Sequence, residues 1–301
     1  MSRTVTVGLD GSSESRAAAE WAAREAKLRG VPLRLVNVWE PVPVPMAQAP
    51  LLGAETQQHW SERIPREAAE GLRLRHPGVE VVVEQLTGRP GEVLSDAAKE
   101  AELLVLGSRG LSGIGGFLVG SVGQAVIAHA ERPVVLVRAG EAAADEHTMD
   151  AAGIPSAATP YWPVVLGLDA RNPDEAVIEF AIDAATRRAT SLHVVHGFSL
   201  PPYFAYGLPD DPELDAKVTA EWASALTEVL RPWREKFPSL EVVERSRAGK
   251  AADQLVEASR DASLVVVGRR IRRSPIGAHI GPVTHAVLHH ATAPVAVVPH
   301  D

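Results

Sequence analysis

At 301 residues the chain is long enough for one large or two ordinary domains, and with 46% hydrophobic and 23% charged residues it has a soluble globular composition rather than a disordered or membrane one. It has no cysteine, which excludes disulfides, thiol nucleophiles and cysteine zinc sites, and its formal net charge of −8 argues against sequence-independent nucleic-acid binding, which needs a basic face. No apolar run approaches about 20 residues, and the N-terminus enters a strand at once, so a cytoplasmic chain without a membrane span is expected.

The first predicted strand, Val5 to Asp10 (VTVGLD), recurs as Val164 to Asp169 (VVLGLD), and the repeat divides the chain in two. A helix follows each copy. Ser12 or Ser13 can cap the first; Asn172 can cap the second, with Pro173 at its first position and Asp174 and Glu175 near its positive end. Second strands are expected at Leu33 to Trp39 and Leu192 to Phe198, then proline-rich loops at Pro41 to Pro50 and Leu200 to Pro212. Amphipathic helices come next, with Trp60, Ile64, Ala68 and Leu72 in one and Leu214, Val218, Trp222, Leu226 and Leu230 in the other read as core stripes. Pro65 predicts a kink or break in the first.

Third strands are expected at Val79 to Gln85 and Leu240 to Glu244, helices from near Gly91 and Gly249, and fourth strands at Leu103 to Leu106 and Leu264 to Val267. Final helices run from about Ser121 and Val283 into last strands Pro133 to Val137 and Pro294 to Val298. Strands alternating with helices, several of them continuously apolar, imply an α/β chain with mostly parallel sheets covered on both faces. The expected division is domain 1 over 1–138, a linker over 139–160 that need only provide spacing, and domain 2 over 161–301.

Ligands of open parallel sheets collect beyond the carboxyl ends of the strands. At that edge Gly107, Ser108, Arg109 and Gly110 begin a glycine-rich loop that continues through Gly113, Gly115 and Gly116. Gly120 and Ser121 then open a helix whose unpaired amides and dipole attract phosphate. The spacing suits a triphosphate. No Walker loop is present, because Gly249-Lys250 is followed by Ala251, and no GxGxxG follows the first strand, so kinase and dehydrogenase readings lack support. Asp10 reads either as a pocket residue or as an acid satisfying loop amides, and its recurrence as Asp169 favours the pocket. His285 and His289 sit four apart on the last helix, without a nearby carboxylate or third ligand that would make a metal site.

Glycine, two residues, glycine, nine residues, glycine and serine: Gly107, Gly110, Gly120 and Ser121, joined to the first-strand aspartate, resemble the ATP-binding signature of the universal stress protein family. The likeness covers both halves outside the linker. It implies two tandem open-sheet domains, each with a five-stranded parallel sheet of order 3-2-1-4-5 flanked by helices, adenine nucleotide alpha-hydrolase-like. By that resemblance Gly8 and Asp10 line the nucleotide pocket and Val38 lies near the adenine. Gly107, Ser108, Arg109, Gly110, Leu111, Ser112, Gly113, Gly120, Ser121 and Val122 hold ribose and phosphates. The implied ligand is ATP, with or without Mg, and the implied assembly is a homodimer through last-strand edges. Strands Val134 to Arg138 and Val295 to Pro299 are apolar enough to pair, either between the halves or between chains.

In the second copy Gly167, Asp169, Gly268 and Gly281 match, but Ile271 replaces the second glycine and Pro282 the serine. Its pocket is expected to persist with weaker affinity or a different ligand, and Arg269, Arg270, Arg272 and Arg273 could meet phosphates there. The implied role is a nucleotide-dependent regulator that binds a protein partner in a stress response and is not a dedicated enzyme. Alternatives are a slow ATPase or adenylate-processing enzyme, and a nucleotide-independent dimerisation scaffold.

Overall fold

The computed structural model describes residues 3–40, 54–110, 117–200, 211–271 and 280–301. The loop Pro41 to Pro50 and the triplet Leu111, Ser112 and Gly113 lie outside them, as does most of Leu200 to Pro212.

The first half runs β1 (Thr4–Leu9), α1 (Ser13–Arg29), β2 (Leu33–Trp39), α2 (Ala54–Arg75), β3 (Val81–Thr87), α3 (Pro90–Lys99), β4 (Ala101–Gly110), the two-residue β5 (Phe117–Leu118), α4 (Ser121–His129) and β6 (Val134–Arg138). The second runs β7 (Val164–Gly167), α5 (Glu175–Arg187), β8 (Leu192–Phe198), α6 (Pro212–Lys236), β9 (Val242–Ala248), α7 (Ala251–Ala258), β10 (Leu264–Arg270), α8 (Pro282–His290) and β11 (Val295–His300). α2 is assigned as one helix through Pro65. No helix among the described residues is long and apolar enough to cross a membrane.

The long strands form one sheet in the order β3-β2-β1-β4-β6-β11-β10-β7-β8-β9, so counting the long strands within each half gives 3-2-1-4-5 and its mirror. Pairing within each half is parallel. The halves do not hold separate sheets. β6 and β11 pair antiparallel, with Leu136 opposite Val295 and Val134 opposite Val297, and fuse them. A homodimer through last-strand edges is thereby corrected: β6 lies between β4 and β11, and β11 between β6 and β10, so neither has a free edge for a second chain.

One face of the sheet carries α1, α2, α5 and α6 and the other α3, α4, α7 and α8, and each apolar cluster contains residues from both halves. Six alanines of α1, Ala17, Ala18, Ala19, Ala22, Ala23 and Ala26, are buried, and their small side chains let that helix lie close to the strands. In α6 only the C-terminal part of the expected stripe is core: Leu226 and Leu230 are buried, whereas Leu214 is exposed and Trp222 half-buried. The side chain of Trp60 lies outside the described residues.

The helices α1 and α5 meet through buried charge. Glu25 accepts from Arg29 at 2.6 Å and from Arg188 at 2.7 Å, with the Glu25 and Arg188 side chains each 1% exposed. Burial pushes the Glu25 carboxyl up, but the guanidiniums of Arg188 and Arg29 outweigh it and hold the group below its ordinary range. The segment expected only to provide spacing joins this cluster. It contains a 3₁₀ turn at Ala143–Glu146, and Glu146 accepts from Arg24 Nε at 2.8 Å.

Removing Arg188 leaves the buried Glu25 carboxylate with Arg29 as its one remaining guanidinium partner among the described residues, so Arg188→Met should cost about 3 kcal/mol at pH 7, read by urea denaturation. Because the folded-state value of Glu25 is depressed, its contribution is present above the unfolded carboxylate range and lost as pH falls through the folded value. The penalty of the variant should therefore shrink as pH falls below the ordinary carboxylate range. A loss under about 1 kcal/mol at pH 7 would contradict this role.

Candidate functional site

At the carboxyl edge of the first half, β1 delivers Gly8 and Asp10 and β2 delivers Asn37 and Val38. Leu9 stands in register with Asn37, whose Nδ2 donates to the Leu9 carbonyl at 2.8 Å. Asn37 is 4% exposed, and its Oδ1 is buried without a hydrogen-bond partner among the described residues. Val38 is half-buried against the cluster under α3 and α4. Gly8 and Gly107 are small for packing reasons. A Cβ on Gly8 would stand 2.8 Å from Leu106 Cδ2, and one on Gly107 would stand 2.4 Å from the Glu14 carbonyl carbon. Gly107 thus seats β4 against the first turn of α1.

Asp10 Oδ1 accepts from the Ser12 amide at 3.0 Å and the Ser12 hydroxyl at 2.5 Å. Burial pushes the Asp10 carboxyl up, but the hydrogen bonds from Ser12 prevail and hold it below its ordinary range. Ser12 is the N-cap of α1, accepting from the Ser15 amide at 3.1 Å. Asp10 therefore fixes the entry into α1, as well as standing at the rim.

The end of β4 pairs antiparallel with β5, Arg109 opposite Leu118 and Gly110 opposite Phe117. Ser108 departs from its expected part: its side chain is buried, and the hydroxyl is 3.3 Å from the Val137 carbonyl to which it donates. Gly120 is the N-cap of α4 without a side-chain cap, a Cβ there would meet nothing within 4 Å among the described residues, and the first turn carries no acid. Ser121 and Val122 are exposed beside it. A nine-residue helix thus presents its first-turn amides uncapped by any side chain among the described residues, the arrangement that attracts an anion.

The second rim is built from the same repeat but differently. α5 begins later than expected: its N-cap is Asp174, which accepts from the Ala176 amide at 2.9 Å, while Asn172 donates instead to Asp169 Oδ2 at 3.1 Å. The space beyond Gly268 is correspondingly taken by His300, since a Cβ on Gly268 would stand 2.8 Å from His300 Nε2 rather than against helix backbone. Asp169 also accepts from the Arg171 amide at 3.0 Å. The Ile271 amide donates to the His300 carbonyl at 2.6 Å, and α8 starts at Gly281 with Pro282 in its first turn. Thr284 donates its hydroxyl to the Gly268 carbonyl at 2.8 Å.

Of the four arginines expected near phosphate, Arg269 is buried and turned to the other half, with Nη1 donating to the Ala128 carbonyl at 3.0 Å and Nη2 to that of Ala130. It satisfies the last turn of α4. Arg270 lines the second rim, and Arg272 and Arg273 lie outside the described residues.

Sequence reasoning missed Asn37 and His196, which occupy equivalent places in the repeat, and did not see that Trp222 and Phe198 wall the second rim. The available signal was a polar residue at the fifth position of two otherwise largely apolar strands, LRLVNVW and LHVVHGF.

The model of the universal stress protein family matches residues 1–138 and again 160–299. The chain belongs to that family. It is 32% identical over 304 residues to a universal stress protein from Mycolicibacterium smegmatis, covering 98% of this chain and 96% of that protein. It is 33% identical over 308 residues to universal stress protein Rv2005c from Mycobacterium tuberculosis, covering 97% and 96%. The crystal structure of a universal stress protein from Archaeoglobus fulgidus shares the fold, with a TM-score of 0.70 at 17% identity over 99% of this chain and 98% of that one.

The two signature glycines are expected to respond oppositely to a methyl group. Gly107→Ala must push α1 away from β4 and should cost at least about 2 kcal/mol in thermal or chemical denaturation, whereas Gly120→Ala, in open space at φ −65°, should change stability by less than about 0.5 kcal/mol. Equal effects would contradict the packing assigned to Gly107.

Proposed function

We propose that this universal stress protein binds an adenine nucleotide, ATP with or without Mg, at the first-half rim, and that the bound state regulates a protein partner in a stress response. The observation that carries the reading is the uncapped N-terminus of α4 at the end of the complete glycine signature. It offers amides, a helix dipole and the Ser121 hydroxyl to phosphates without a competing acid in the first turn.

The residues fit such a ligand at the other end as well. Asn37 Oδ1, a buried acceptor beside the β1 rim with no partner among the described residues, could take a donor on a heterocycle, and the half-buried Val38 offers apolar surface. Ser121, Val122 and Gly123 would hold phosphates, while Asp10 would face ribose or metal.

Hydrolysis is expected to be slow or absent. Asp10 is the rim carboxylate supplied by the motif, and the Ser12 hydrogen bonds that lower its proton affinity make it a weak general base.

The second half supplies a ready control. α8 begins with Pro282 where α4 has Ser121, so a proline is compatible with this helix start. Ser121→Pro removes an amide and a hydroxyl and should weaken ATP binding about tenfold or more in calorimetry while shifting the melting temperature by less than about 2 °C. Undiminished affinity in a folded variant would overturn the assignment.

A further inference from the structure

Both halves place charge on the sheet face beneath their third helix, α3 or α7, but they place it differently. The first half closes this place with an ion pair: Arg34 Nε donates to Glu84 at 2.6 Å, and Nη1 reaches Glu100 at 3.5 Å. The strand registers give the counterparts. Leu33 pairs with Val81 and Leu192 with Val242, so His193 stands for Arg34, Arg245 for Glu84 and Arg247 for Leu86. Val5 pairs with Leu103 and Val164 with Leu264, so Asp261 stands for Glu100.

The second half has therefore kept the acid after the helix, exchanged the strand acid for a base, and replaced the long arginine between them by a shorter histidine. A cavity of about 380 Å³ occupies the place, lined by His193, Arg245, Arg247, Glu257 and Asp261, a size that a small ligand fills. It takes in Trp162 and Pro163, which lead into β7, and so extends toward the amino ends of the second-half strands rather than lying at their carboxyl-end rim.

In this cavity opposite charges share a lining without pairing. Arg245 and Arg247, two apart on β9 and so on one face of it, have no ion-pair partner among the described residues, and neither do Glu257 and Asp261. His193 does not supply the charge that Arg34 supplies in the first half. Burial, and then the Arg245 guanidinium, hold its imidazole below the ordinary value, and its Nε2 lies 3.3 Å from the Ser191 hydroxyl. Gln254, on the helix that carries Glu257, commits Nε2 to the Arg247 and Ala248 carbonyls at 3.2 and 3.3 Å, which leaves its Oε1 buried without a partner among the described residues. Two guanidiniums on the strand, two carboxylates at the helix and a spare acceptor complement a molecule that carries an anionic group at one end and an ammonium at the other. An anion without an amine would meet the two carboxylates uncompensated.

We infer that this cavity is a binding site for a small zwitterion of the free amino acid class, its carboxylate on Arg245 and Arg247 and its ammonium toward Glu257, Asp261 and Gln254 Oε1. The ligand takes the place of the ion pair that the first half makes internally. The site is independent of nucleotide binding at the first rim.

The test uses the full chain without nucleotide. The standard L-amino acids are screened by thermal shift, and the one with the largest shift is taken into calorimetry beside its deaminated acid, its decarboxylated amine and inorganic phosphate. At least one amino acid should bind saturably at one site per chain with a Kd of about 1 mM or tighter, and the three probes that lack one of the charges should bind about tenfold or more weakly. His193→Arg with Arg245→Glu imports the first half's ion pair; this double variant should melt no lower than the unmutated chain and lose amino acid binding. Arg245 is exposed, so Arg245→Gln reads the site even if the double variant folds poorly, and it should weaken binding about tenfold.

The inference is overturned if no amino acid binds, if a probe lacking one charge binds as tightly as the amino acid, or if either variant, folded, retains full affinity.

Discussion

The antiparallel pairing of β6 with β11 is the constraint on which the rest of the arrangement depends. Two parallel sheets joined through a parallel ladder would present both sets of carboxyl ends on one edge. Joined antiparallel, they run in opposite directions, and the two carboxyl-end rims fall on opposite edges of one sheet. The same pairing places the end of α4 near the second rim: the helix begins at the first rim and its last carbonyls accept from Arg269, which follows the second-rim residue Gly268. A buried cation at the C-terminal end of a helix complements its dipole, and the helix so treated is the one proposed to receive phosphate at its other end.

The halves are fused energetically as well as topologically. Both apolar clusters cross the junction, and Glu25, Arg29 and Arg188 tie α1 to α5 with charges that are tolerable in the interior only because each has a partner. Unequal rims are built on this common frame by small changes. Where α1 starts at Ser13, its first turn packs on Gly107; where α5 starts late, His300 and Val177 lie over the equivalent Gly268.

Much of this was legible in the sequence because it follows from local rules. The paired GLD turns, the alternation of apolar strands with helices and the glycine at each last-helix start specify the repeat, and α4 begins at Ser121 as its spacing implies. What escaped depends on contacts distant in the chain. Asn172 and Pro173 look like a helix start, but Asp169 captures Asn172 and Asp174 supplies the stronger cap. Ser108 and Arg269 look like loop residues facing a ligand, yet both side chains turn inward to backbone carbonyls, of Val137 in one case and of the other half's α4 in the other. Trp222 fits a core stripe by spacing and does pack, half-buried, against the apolar cluster, but it also lines the second rim beside His196 and Phe198, while Leu214 at the start of α6 is exposed. The pairing of the last strands was foreseeable as a possibility from their apolar edges, but only the fold assigns it within one chain.

The central claim is that the first-turn amides of α4 receive the phosphates of a nucleotide. It is tested most directly by amide-resolved NMR of the deuterated, ¹⁵N-labelled chain titrated with ATP. The account predicts saturable shifts concentrated at Ser121, Val122 and Gly123 and at the Gly107 to Gly110 end of β4. Binding of ATP that leaves those amides unmoved would contradict it.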